Sequence, residues 1–226
     1  RALLISGDHV VGEVERLHRV DARRREGAAH AGSTRFGTHR IHANSRACEF
    51  AREVLSPKEA EEDAIPLIAP ETAGRHGPPP ELHRFPREED ALEYIFQRAR
   101  KLHEQGIPWN DMAILFRYHK IGERIAEAIR RAGIPFDWVG RDRASHRFQP
   151  SDDSVKILTM NSSKGLEFPV VFIPCLDAMP NPRFDIAEEA KLLYVAMTRA
   201  MDRLMLTYHG KSTFVERMQD ALRKAA

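Results

Sequence analysis

Two stretches of this 226-residue chain combine residue types suited to phosphate chemistry. The first, VKILTMNSSKGLEF, runs from Val155 to Phe168. An apolar strand pattern from Val155 to Met160 gives way to a polar loop, and in an open α/β sheet ligands gather where strands end. Thr159, Asn161, Ser162 and Ser163 offer small hydrogen-bonding groups matched to phosphate oxygens. Lys164 adds a positive charge, and Gly165 lets the backbone approach a ligand closely. The same loop also reads as local structure alone, with Asn161 or Ser162 capping a helical turn. The second stretch runs from Glu188 to Leu204 and reads as a helix over Glu188 to Met201. Leu192, Leu193, Val195, Ala196 and Ala200 share its buried face, which places the guanidinium of Arg199 at the core boundary. The plain alternative is an i,i+3 pair between Arg199 and Asp202 on a solvated surface.

A third stretch imitates a phosphate loop without completing one. His209-Gly210-Lys211-Ser212-Thr213 follows a strand pattern and opens a helix, like the end of a Walker A loop. The full pattern, GxxxxGK followed by Ser or Thr, requires glycine where this chain has Met205. Thr213 with Glu216 reads instead as a capping box, Thr213 being the N-cap. No other phosphate loop occurs in the chain.

The elements that must position these groups alternate regularly from about Pro80 onward. Strands are expected at Leu82–Phe85, Met112–Arg117, Phe136–Val139, Val155–Met160, Val170–Cys175 and Leu204–Tyr208. Helices are expected at Glu88–Gln105, Ile121–Ala132, Glu188–Met201 and Thr213–Leu222. Short apolar strands alternating with amphipathic helices predict an α/β fold, a mostly parallel sheet covered on both faces. Before Pro80 the text is less regular. Residues 16–46 are dense in Arg, His, Gly and Ala and too poor in apolar residues for a periodic stripe. A helix is expected over Asn44–Leu55 with Asn44 as N-cap, and Gly77-Pro78-Pro79-Pro80 stiffens a connector. The division drawn is an irregular arm, 1–80, and one α/β domain, 81–226.

Composition narrows the function classes. Hydrophobic residues make up 42% of the chain, charged residues 30%, and the net charge is +2, so binding to nucleic acid depends on where basic groups cluster. No run approaches the roughly 20 apolar residues of a membrane span. The short apolar run at Arg1–Ile5 gives way to charge and does not read as a leader. Cys48 and Cys175 stand far apart, without a CxxC or a His at metal spacing, so no metal site is expected and a reduced cytoplasm is.

TMNSSKGLEFPVVFIP followed by EEAKLLYVAMTRAMDRL strongly resembles motifs V and VI of the superfamily 1 DNA helicases of the UvrD/Rep family. DMAILFRYHKIGERIAEAIRRAGIPFDWVG resembles the strand–helix–strand that precedes motif V there. The resemblance covers the chain from about Trp109 to its end. It implies the second, C-terminal RecA-like motor domain, whose ATP with Mg2+ is bound mainly by an N-terminal RecA-like domain of the same protein. It further implies that Arg199 is an arginine finger. Gly165 and Glu167 would line the nucleotide side, while Thr159, Asn161, Ser162, Ser163 and Lys164 meet single-stranded or partly duplex DNA. Polarity, 3′ to 5′, comes from the family alone. The family usually has His where this chain has Asn161. Its motif IV, an aromatic–Arg pair, falls on Ile41-His42, with Arg40 two residues early. Either His42 replaces the phosphate-sensing Arg, or Arg40 serves in a shifted register, or this region has no such role. The stretch Arg141–Ser154 is too short for the accessory domain that many relatives insert there. Lacking a phosphate loop, the chain alone is expected to be inactive. The rival reading is a degenerate, non-catalytic module that binds nucleic acid or docks.

Overall fold

The computed structural model describes residues 43–56, 76–140 and 152–225. Arg40, His42 and the basic tract up to residue 42 lie outside the described residues, as does most of the stretch from Arg141 to Ser154. Among the described residues, α1 (Ser45–Leu55) comes first, then β1 (Glu81–Arg84), α2 (Glu88–Glu104), β2 (Met112–Phe116), α3 (His119–Arg131), β3 (Phe136–Trp138) and β4 (Val155–Thr159). They are followed by β5 (Phe168–Ile173), α4 (Ile186–Met197), β6 (Ala200–Tyr208) and α5 (Thr213–Ala225). The strands form one six-stranded sheet in the order β1-β6-β5-β2-β4-β3, with every pairing parallel. This is the RecA-like α/β arrangement, fully parallel where a mostly parallel sheet was expected.

Alternation along the strands builds two cores. Ala113 and Leu115 of β2, with Leu158, Val171, Ile173, Leu204 and Leu206, face α1, α4 and α5. Met112, Ile114 and Phe116, with Ile157, Phe172 and Met205, face α2 and α3. Both sheet faces are therefore dry, which is why the strands read as continuous apolar runs. Each large aliphatic side chain so buried contributes about 1.5–3 kcal/mol before entropy is counted. Lys156 breaks the run. It is buried at 1% exposure, with its ammonium 3.0 Å from Ser154 Oγ and 3.7 Å from the Asp137 carboxylate of the neighbouring strand. α1, expected in the irregular arm, adds Ala47, Phe50, Ala51 and Val54 to the first core.

Several expected boundaries shift by a few residues, and two corrections have a plain physical reason. The helix expected over Glu188–Met201 runs from Ile186 to Met197, because the Asp185 side chain caps it by accepting from Ala187 N and Glu188 N. Its sequence stays helix-compatible to Met201, yet β6 begins at Ala200, paired with Phe168 of β5. Sheet pairing overrides local propensity there. The last helix does begin at Thr213, but Thr213 is its first residue and not its N-cap. Ser212 caps it: its hydroxyl accepts from Val215 N at 3.3 Å and its carbonyl from Glu216 N at 3.0 Å.

Candidate functional site

β4 and β5 are parallel, so the segment joining Thr159 to Phe168 passes from the carboxyl end of one strand to the amino end of the other. Met160 and Leu166 anchor it in the core. Its first half is a self-bonded turn. Thr159 Oγ1 accepts from Ser162 N at 3.1 Å and lies 2.9 Å from Ser162 Oγ, while Ser163 N donates to Thr159 O at 3.1 Å. Asn161, Lys164 and Gly165 are exposed, and Thr159, Ser162 and Glu167 are half-buried. Gly165 has φ +81°, a left-handed conformation that a side chain would strain. Ser163 behaves differently from its neighbour. It is fully buried and its hydroxyl donates to Met160 O at 2.7 Å, so it holds the turn and offers no exposed contact.

Arg199 sits at the other end of this segment. It lies in the turn between α4 and β6, at the amino end of β6, and not on the helix itself. α4 begins near the carboxyl edge, where Glu189 meets Arg117, and its end lies against the far end of the segment, where Arg199 meets Leu166. The side chain is 7% exposed. Its Nε donates to Val195 O at 3.0 Å, one terminal nitrogen to Leu166 O at 3.3 Å and the other to Thr198 Oγ1 at 3.2 Å. Burial pulls the guanidinium pKa down from its ordinary value, and the nearby Glu167 carboxylate works the other way. The surface pair with Asp202 does not form, since Asp202 lies 3.5 Å from Arg203 instead.

A second charged group at the carboxyl edge escaped the sequence reading. Arg117, directly after β2, pairs at 2.8 Å with Glu189 in the first turn of α4, and Glu189 is only 2% exposed. The Arg117 guanidinium also lies over the rings of Tyr118 and Phe184, 4.9 and 5.1 Å from their centroids. The available signal was a charge following the wholly apolar run MAILF. Exposed His119, next to it, lies nearly parallel to Trp138, with 6.3 Å between centroids.

The imitation phosphate loop is filled from within. The Asp177 carboxylate accepts from His209 N at 3.0 Å and lies 3.4 Å from the His209 ring, where a phosphate would have to sit. Met205, standing where the first glycine would be, is fully buried in β6. Among the described residues no group of His, Cys, Asp and Glu is placed to hold a metal ion, and no helix is long and apolar enough to cross a membrane.

Comparison with known proteins gives this geometry a family. The chain is 31% identical over 132 residues to "Probable DNA helicase" of Mycoplasma pneumoniae, covering 54% of this chain and 22% of that protein. It is 42% identical over 76 residues to the ATP-dependent DNA helicase Rep of Buchnera aphidicola, 31% of this chain and 12% of that one. With DNA helicase II of Escherichia coli it shares 44% identity over 63 residues, 25% of this chain and 9% of the relative. The chain thus spans less than a quarter of each of these relatives. A solved C-terminal domain of a possible DNA helicase from Lactobacillus plantarum has the same fold. The TM-score is 0.59 at 20% identity, over 82% of this chain and 97% of that one. Residues 41–144 and 141–211 match the model of the UvrD-like helicase C-terminal domain, and the chain belongs to that family.

Proposed function

We propose that this chain is the C-terminal motor domain of an ATP-dependent DNA helicase or translocase, acting on an ATP site shared with an N-terminal RecA-like domain. Residues 81–226, with α1 packed on them, form that unit. One observation carries the reading: a single segment reaches both edges of the sheet. It presents Thr159, Asn161, Ser162 and Lys164 at the carboxyl edge, and it meets Arg199 through Leu166 and Glu167 at the opposite one. The first group faces the sugar-phosphate backbone of single-stranded DNA, the second the nucleotide. Ser163 is left out of the DNA contacts, since its hydroxyl is spent inside the turn.

The residues present fit one side of a nucleotide and no more. Bound ATP with its Mg2+ would supply the phosphoryl group and develop negative charge as it is transferred. Arg199 keeps donors beyond the three already engaged, since a guanidinium carries five N–H groups in total. Held in a dry setting, its charge acts with little reorganisation. Gly165, exposed and without a side chain, leaves room for a close approach. On this reading the phosphate cradle belongs to the partner domain; among the described residues the loop that imitates one is occupied by Asp177.

The test is Arg199→Ala in the full-length protein. Nucleotide binding should stay nearly intact while turnover falls by about 10³–10⁵. Arg199→Lys should not restore it, since a point charge on a flexible stem cannot reproduce the three-way hold. Turnover within a few-fold of wild type would remove the finger and favour the non-catalytic docking module.

A further inference from the structure

We propose that Asn44 is a positioning residue for Arg199, fixing the irregular start of β6 through bonds that the sheet itself does not supply. The proposal rests on reading Arg199 as the group that reaches the nucleotide. Asn44 is fully buried. As an N-cap for α1 it needs one bond, from Arg46 N to its Oδ1 at 3.0 Å. It makes several more. Oδ1 also accepts from Gly77 N at 3.2 Å, and Nδ2 donates to Pro78 O at 2.8 Å and to Asp202 O at 2.7 Å. Its backbone N donates to Ala200 O at 2.9 Å.

The two bonds to β6 fall at a particular place. Phe168 pairs with Ala200, but Val170 pairs with Arg203, so β6 carries one extra residue between these pairs. Such a bulge disrupts the ladder locally and bends the bulged strand. Asn44 takes the carbonyls of Ala200, at the start of the disruption, and of Asp202, within it. Arg199 is the next residue back, its own carbonyl held by Phe168 N at 2.9 Å. The backbone that aims the guanidinium is thus gripped on one side by β5 and on the other by Asn44. An amide alone suits this place. Asp lacks the two donors, and Ser can cap a helix but is too short to reach Asp202. Gly77 closes the clamp from outside: a Cβ there would stand 2.4 Å from both Asn44 Nδ2 and Asp202 O.

Two variants of the full-length protein test this. Asn44→Ser keeps a capping hydroxyl and the backbone bond to Ala200, and loses the side-chain bonds to Asp202 and Pro78. Gly77→Ala leaves Asn44 in place and pushes into the clamp. The measurements are kcat for strand-stimulated ATP hydrolysis well below each melting temperature, nucleotide and single-strand Kd, and amide exchange over residues 198–204. Both variants should lower kcat by more than about tenfold with either Kd within about threefold, the split expected when only the reacting geometry is lost. Exchange at 198–204 should accelerate by more than about tenfold while α2 and α3 stay protected. A kcat loss that tracks only the loss of folded protein would overturn the proposal. So would kcat within about twofold of wild type while Arg199→Ala is inactive. If Arg199→Ala keeps its turnover, the finger reading fails. The hold of Asn44 on the 199–203 backbone is then decided by exchange alone, and unchanged protection there sinks it.

Discussion

A guanidinium at 7% exposure has given up most of its hydration, and the carbonyls of Val195 and Leu166 replace it. Such a group is fixed before any ligand arrives, whereas an exposed arginine would have to be ordered on binding. The same consideration separates two adjacent, chemically identical residues. Ser162 is half-buried and, among the described residues, its hydroxyl is bonded to Thr159 alone, so its removal leaves the turn supported by backbone bonds. Ser163 is sealed in, and without its hydroxyl the Met160 carbonyl loses its partner in a dry place. Ser163→Ala is therefore expected to lower stability by about 1–3 kcal/mol, read from urea unfolding, with single-strand affinity per folded molecule unchanged. Ser162→Ala in the full-length protein should do the opposite, weakening strand binding alike across unrelated sequences with little change in stability. If both variants behave alike, burial does not set their roles. The sequence showed that Asn161-Ser162-Ser163-Lys164 could hold phosphates. It could not show which hydroxyl turns inward, because that depends on how Met160 and Leu166 anchor the segment, a tertiary matter.

Elements were legible where one signal dominated. MAILF has no reading other than a buried strand, and Leu92, Ile95, Phe96, Ala99 and Leu102 fall on one face of α2 as their spacing predicts. The junction between α4 and β6 was not legible, because helix-compatible residues continue to Met201 while β5 captures the chain from Ala200. No local pattern announces which strand will be its neighbour. Nor does one announce a bulge, or the burial of Glu189 against Arg117 from another element. At the start of α5 the error was one residue, and it can be tested as such. Ser212→Ala should lower stability by about 1 kcal/mol. Thr213→Ala, a change at an exposed first helical position, should stay within about 0.5 kcal/mol. The reverse ranking in chemical unfolding would return the cap to Thr213. Lys211→Ala in the same loop should leave turnover of the full-length protein unchanged, since Asp177 already fills the place of a phosphate.

At the scale of the whole molecule, the two edges proposed to meet the strand and the nucleotide lie on opposite ends of one parallel sheet. α4 runs between them, from Glu189 near the carboxyl edge to Met197, two residues before Arg199 at the other. A domain so built can take part in a nucleotide site and a strand site at once while completing neither. The isolated chain should accordingly hydrolyse no ATP above background, with or without single-stranded DNA, and a robust strand-stimulated turnover would contradict the shared site. Strand binding offers the quantitative test. The net charge of +2 provides little overall attraction to a polyanion, so the salt dependence reports local contacts. For single strands the logarithm of the binding constant falls with the logarithm of salt by about 0.7 per phosphate neutralised. Within the turn only Lys164 is cationic and exposed; Thr159, Asn161 and Ser162 hydrogen-bond without displacing counterions. In the full-length protein, Lys164→Gln should then flatten the salt slope by about 0.7, one phosphate's worth, and weaken binding equally on unrelated sequences. Ser162→Ala should weaken binding with the slope intact. A slope unchanged by Lys164→Gln would mean that the strand's phosphates run past some other surface of the domain, and the carboxyl edge of β4 would lose its role.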